Sequence, residues 1–236
     1  VIGVYTGTIA VFIFFCISGF FITKSAVERN TFQFVTARCA RIIPGLLFCN
    51  IITILFITPW LVDDRSWFEI IWSRDSLNYI TNNTSLLWGL KFSVPGALES
   101  YPDKAINGSL WTLPIEVQAY MLAFVFSSFG LASNRIRFNL VFAVILYSYA
   151  SHPNIYNIIF PIGNSHVLFL SFLFGAALFV NRDWFPMGKL CLLVGTIALF
   201  VLHHYTFEVI SLFVLCYLVI ASGWVLYNSK LRLKND

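Results

Sequence analysis

The first 23 residues carry no charged side chain, and Val, Ile, Phe and Ala fill most of the run. A stretch of ~20 mostly apolar residues is long enough to cross a bilayer as a helix. Inside a membrane the backbone must satisfy its own hydrogen bonds, so the options are helices or a closed barrel. No apolar-polar alternation runs through this chain, which argues for helices. Comparable runs recur at roughly 42–59, 111–130, 138–151, 166–181, 189–204 and 208–227. The reading is an all-α, polytopic integral-membrane helical bundle of about seven transmembrane helices. Residues 1–236 form one membrane domain in that reading.

Composition excludes a soluble domain. Only 11% of residues are charged, against about 25% in average globular chains. With 58% apolar residues, a domain of this size cannot hide its own apolar surface, and a bilayer is the solvent that accepts it. Tyr and Trp near the ends of the runs suit the interfacial belt. Gly19, Gly175 and Gly195 fall where neighbouring helices can come close. Of the five cysteines, none forms a Cys-x-x-Cys pair. They read as small buried thiols, with no disulfide framework and no metal site.

The placement of the basic residues sets an orientation. Lys24, Arg29, Arg38 and Arg41 fall between the first two runs, and Arg135 and Arg137 between the third and fourth. Arg182 and Lys189 fall between the fifth and sixth, and Lys230, Arg232 and Lys234 follow the seventh. These alternate loops hold eleven of the fifteen Lys and Arg, and the short loops 152–165 and 205–207 hold none. The positive-inside rule puts the basic loops in the cytoplasm. Residues 60–110 are then exterior. They mix Ser, Asn, Thr and Trp with acidic and basic side chains, a character that suits sugar hydroxyls and ring faces. Residues 86–98 are partly apolar and read as lying along the interface or dipping into the membrane.

Three stretches hold polar groups where an apolar span makes them costly. Ser18-Gly19-Phe20 ends the first run. Gly19 leaves room for another backbone or a ligand, and Ser18 can bond its own helix. Arg38 and Arg41 are three residues apart and share a helix face. Two guanidinium forks suit a pyrophosphate or the phosphates of lipid headgroups. Trp111 would mark the outer interface, with Pro114 in the first helical turn. Glu116 follows ~7–8 Å further in, and Tyr120 is one turn on. That carboxylate suits an acceptor hydroxyl, a histidine cation or a buried ion pair.

Taken in order, Phe14-Phe15-Cys16-Ile17-Ser18-Gly19-Phe20, Arg38-x-x-Arg41-x-x-Pro44 and Ser109-Leu110-Trp111-Thr112-Leu113-x-x-Glu116 resemble the membrane-bound acyltransferase family 3. The likeness covers most of the chain and is closest at residues 7–45 and 107–121. It implies a membrane O-acyltransferase that moves an acyl group, most often acetyl, from acetyl-coenzyme A to a hydroxyl of a carbohydrate or lipid-linked sugar. It implies Arg38 and Arg41 as donor-binding residues and Glu116 as a catalytic residue. Ser18, Gly19, Trp111 and Tyr120 support them. No metal, permanently bound cofactor or nucleic acid is expected, and the implied setting is a bacterial inner membrane.

The family also carries a histidine in a helix before the Phe-Phe-x-x-Ser-Gly pattern. Histidine suits removal of a hydroxyl proton near neutral pH. The first histidine here is His152, and His166, His203 and His204 lie further on. None matches the family's base. Nor does the start of the chain read as a signal peptide. The expectation is a fragment lacking the first helix and the C-terminal helices, and inactive alone. Two other readings stay open: a membrane carrier for a lipid-linked sugar, which would show paired broken helices, and an inactive truncated remnant.

Overall fold

The computed structural model describes residues 6–62, 66–86, 89–98, 104–152, 154–156, 165–184, 191–197 and 208–235. Helix dominates, and no strand occurs among the described residues. The main helices are α1 (Thr6–Glu28), α2 (Thr31–Ile52), α3 (Trp67–Ile71), α4 (Arg74–Ser85), α5 (Thr112–Ser128), α6 (Arg135–Ser151), α7 (Ser165–Val180) and α8 (Glu208–Asn235). A further helical stretch covers 191–197. Three continuous helical segments among the described residues are long and apolar enough to cross a membrane: Gly7–Glu28, Thr31–Trp60 and Gly108–Ser128. Ser165–Val180 and Phe213–Leu226 are shorter apolar helices. The all-α membrane class read from the sequence therefore stands. Much of the 189–204 run, the loop 205–207 and both His203 and His204 lie outside the described residues.

Helix limits differ most at α2. Apolar content begins near residue 42, whereas the helix begins at Thr31. Helix propensity does not need apolarity, and Arg and Ala are good helix formers. Thr36 also folds its hydroxyl back onto the Phe32 carbonyl at 2.7 Å. Arg38 and Arg41 thus sit within α2, on the shared helix face that their spacing implies. Past Ile52 the helix widens into a π turn over Thr53–Ile57 and then tightens into a 3₁₀ turn over Thr58–Trp60. Pro59 lacks an N–H and crowds the preceding turn, which a regular α-helix does not accommodate.

The chain forms two compact units, Val1–Asn30 with Gln118–Asp236, and Thr31–Val117. In the first, α7 is the central helix. It is apolar all round and most of its residues are buried, as expected of a helix enclosed by others. Its contact with α1 is backbone against backbone. A side chain at Gly19 would overlap the Phe172 carbonyl, and one at Gly175 would overlap the Cys16 carbonyl. Small residues at such crossings allow the close approach that drives helix association in lipid. Gly195 packs against the Leu218 side chain instead, with 2.7 Å left for a Cβ. Cys16 and Cys216 are buried free thiols in this core, whereas Cys39 and Cys49 are exposed.

A polar clasp joins α6 to the end of α7. Asn139 and Asn181 exchange amide hydrogen bonds at 2.9 and 2.8 Å. Arg135 pairs with Asp183 at 2.9 Å and lies 4.3 Å over the Trp184 ring. Asn134 caps α6 by accepting from the Ile136 and Arg137 N–H groups.

The second unit turns much of 60–110 into ordered structure. Ser66 and Glu69 form a reciprocal capping box at the start of α3, and Ser73 caps α4. Leu46, Ile54, Val62, Ile70, Tyr79, Val94, Ala97 and Leu110 form the core of this unit. Leu90 and Phe92 pack on that core, so the apolar part of 86–98 serves the unit's interior. The sequence pattern shows the apolarity of this segment without showing what covers it. Leu87 and Trp88 lie outside the described residues.

Candidate active site

Arg38 and Arg41 lie on successive turns of α2. Arg38 is half-buried with its guanidinium 5.7 Å from the Phe34 ring centre, and Arg41 is exposed. Pro44 stands inside the same helix. Its missing N–H removes the hydrogen bond that the Ala40 carbonyl would otherwise accept. The segment around the two arginines therefore carries two guanidinium groups and a proline break on adjoining turns.

The third motif begins at Asn107, whose side-chain oxygen accepts from the Ser109 N–H at 3.2 Å and the Ser109 hydroxyl at 2.6 Å. This cap starts a 3₁₀ turn over Gly108–Trp111 that runs into α5. Pro114 is the third residue of α5, within the turn where its missing N–H costs nothing. Trp111 and Pro114 are half-buried and Glu116 is buried. The carboxylate is thus withdrawn from lipid and solvent, as a charged group in an apolar helix must be. Tyr120, also buried, follows one turn on in α5.

Ser18 is buried on α1 beside Gly19. Gly19 faces the Phe172 backbone, so helix packing alone already demands a glycine there. The second unit holds Arg38, Arg41, Trp111 and Glu116, and the first holds Ser18, Gly19 and Tyr120.

Of the histidines, His152 is exposed at the C-terminus of α6. His166 lies in the first turn of α7 with its ring 5.7 Å from that of Tyr149. Its Nδ1 is buried with no hydrogen-bond partner among the described residues. Tyr149 packs edge-on against Tyr156, whose hydroxyl meets that of Ser148.

A second group of polar side chains was missed in the sequence. Asn50 near the end of α2 and Tyr79 and Asn83 on α4 are all fully buried in the second unit. Asn50 stands within the apolar run 42–59, the kind of isolated polar residue that signals a use. Tyr79 and Asn83 are one helical turn apart. Those spacings were legible, but not the pairing of α2 with α4.

These features define an integral-membrane helical protein with a cationic helix and a buried carboxylate. The profile of the acyltransferase 3 family, described as an acyltransferase domain, matches residues 1–235. The chain belongs to that family. An O-acetyl transferase of Shigella phage Sf6 is 34% identical over 146 residues, 61% of this chain and 40% of the relative. The match thus spans well under two thirds of that relative's length. No solved structure matches the chain.

Proposed function

We propose that the protein transfers an acetyl group from acetyl-coenzyme A to a hydroxyl of a carbohydrate, a surface glycan or a lipid-linked sugar, in a bacterial inner membrane. The arginine pair on α2 carries this reading, together with membership of the acyltransferase family. Coenzyme A bears a pyrophosphate and a further phosphate, and paired guanidinium forks bind such groups bidentately. The basic loops, on the positive-inside rule, put Arg38 and Arg41 on the cytoplasmic side where the donor is made.

In the reaction the acceptor hydroxyl oxygen attacks the thioester carbonyl carbon. A base takes the hydroxyl proton, the C–S bond breaks, and the sulfur leaves with a proton as the free thiol of coenzyme A. The family's histidine would be that base, and none of the four histidines here matches its place. Glu116 would hold the acceptor hydroxyl or steady the imidazolium, and Trp111, Tyr120, Ser18 and Gly19 would shape the surroundings. A carrier for lipid-linked sugars is the other class to separate.

The test is transfer of labelled acetyl from acetyl-coenzyme A to membrane glycans, with the protein in its natural full length. Label in alkali-labile ester linkage, absent from control membranes, is the expected result. Glycan transport without ester formation would point to the carrier.

A further inference from the structure

Four large aromatic side chains stand exposed at the end of α2 and on α3. Trp60 is 83% exposed, Trp67 55%, Phe68 75% and Trp72 71%. Phe68 and Trp72 are one turn apart, with ring centres 6.4 Å from each other. Ile70, in contrast, turns inward and joins the core of the second unit. Large apolar side chains gathered on one exposed surface mark an interaction site.

The height of α3 in the membrane follows from what it packs on. It touches the π turn Thr53–Ile57 and the 3₁₀ turn Thr58–Trp60. These are the last turns of the segment Thr31–Trp60, which is long and apolar enough to cross a membrane. Phe56 and Ile57 are exposed on that segment, as side chains that meet lipid are. α3 therefore lies where the segment leaves the hydrocarbon, the level at which aromatic rings gather. An indole suits that level, with an apolar body and an N–H for water or a headgroup.

The polar groups of α3 favour lipid over a sugar. From Trp67 to Trp72 the one side chain with oxygen is Glu69. Its carboxylate accepts from the Ser66 N–H at 3.2 Å, while the Ser66 hydroxyl accepts from the Glu69 N–H at 3.3 Å. The charge is thus turned to the start of its own helix. A sugar asks for donors and acceptors beside the rings, and this helix offers few. Asp63, Asp64 and Arg65 precede α3 and Arg74 and Asp75 follow it, so charge brackets the aromatic stretch, as suits a headgroup layer.

We propose that α3 is a membrane-docked helix. Trp67, Phe68 and Trp72 enter the headgroup–acyl boundary of the leaflet that holds Trp60, and they hold the second unit against the membrane surface there. This goes beyond the enzymatic reading and does not depend on it.

For the test, the native cysteines of the natural full-length protein are replaced by serine and Phe68→Cys or Trp72→Cys is introduced. The protein is spin-labelled and placed in nanodiscs of phosphatidylcholine and phosphatidylglycerol. Power saturation compares collisions with oxygen, which enters lipid, and with a nickel chelate, which stays in water. The oxygen-to-nickel ratio at both positions should exceed that of free label in buffer about fivefold or more, as expected of side chains ~5–10 Å into the boundary. A ratio like that of free label at either position would overturn the docking. So would low collision with both reagents, which means that a second copy or another part of the chain covers α3. A nickel collision rate that falls on adding methyl glucopyranoside would overturn it in favour of a sugar platform. A second measurement leaves the cysteines in place. Tryptophan quenching by lipid brominated near the headgroup should fall when Trp67 and Trp72 are both changed to Tyr, and unchanged quenching would contradict the proposal. No acetyl transfer is read in either assay, so the docking and the enzymatic reading fail separately.

Discussion

Gly19 of α1 lies directly against the backbone carbonyl of Phe172 on α7, and Gly175 of α7 lies in the same way against the carbonyl of Cys16. The two glycines form a reciprocal crossing in which neither helix has room for a methyl group. Backbone cannot move aside as the end of a side chain can, so the crossing sets the spacing of the pair.

Gly19→Ala should therefore destabilise the membrane-embedded protein by about 1–3 kcal/mol, the usual cost of overpacking. Gly45→Ala is the control, because nothing lies within 4 Å of a Cβ there. It should be neutral or stabilising by up to ~1 kcal/mol, since alanine is the better helix former. Thermal unfolding in detergent, followed by size-exclusion fluorescence, checks both. Equal melting temperatures for Gly19→Ala and the unaltered protein would remove the packing argument.

The amide pair between α6 and α7 gives a second expectation. Asn139→Leu leaves the buried Asn181 side chain without its reciprocal partner, although Asn181 still donates to the Ala177 carbonyl at 2.9 Å. The cost should be about 1 kcal/mol, in the range of hydrogen bonds between membrane helices. Replacing both residues by Leu should cost less than the sum of the single changes, because it leaves no amide stranded. A double-mutant cycle on unfolding measures this, and strict additivity would mean that the pair is not coupled.

Glu116→Gln keeps the shape of a buried side chain and removes its charge. If the carboxylate serves the reaction, kcat should fall by on the order of 10²-fold or more, with membrane insertion and melting temperature unchanged. If it serves only a structural ion pair, the loss appears in stability and the surviving protein turns over normally. Measuring kcat per folded molecule separates the two.

The sequence made the membrane class legible because apolar runs without charge have few other uses. It also made visible the glycines that set the α1–α7 crossing, since Gly19 and Gly175 stand where small side chains matter. Helix limits were less legible. Arg38 and Arg41 interrupt apolarity without interrupting helix, so α2 begins eleven residues before its apolar run. Order within 60–110 was hidden for another reason. Short capped helices such as α3 and α4 draw stability from the core around Tyr79 and Leu110, and local pattern does not display that core. The Asn50–Thr84 hydrogen bond between α2 and α4 is the same kind of omission, because it depends on which helices meet.

The arginine pair bears most directly on the central claim. Steady-state acetyl transfer by the natural full-length protein should be measured against acetyl-coenzyme A for Arg38→Ala, Arg41→Ala, the double variant and the two Arg→Lys variants. Each lost charge-assisted contact is worth about 1.5–3 kcal/mol, roughly a 10–100-fold change. Donor KM should rise by that factor in each single Ala variant and further in the double one. Lysine should restore little, because an ammonium cannot bind bidentately. An unchanged donor KM in the Arg38→Ala, Arg41→Ala protein, at normal membrane abundance, would contradict the account.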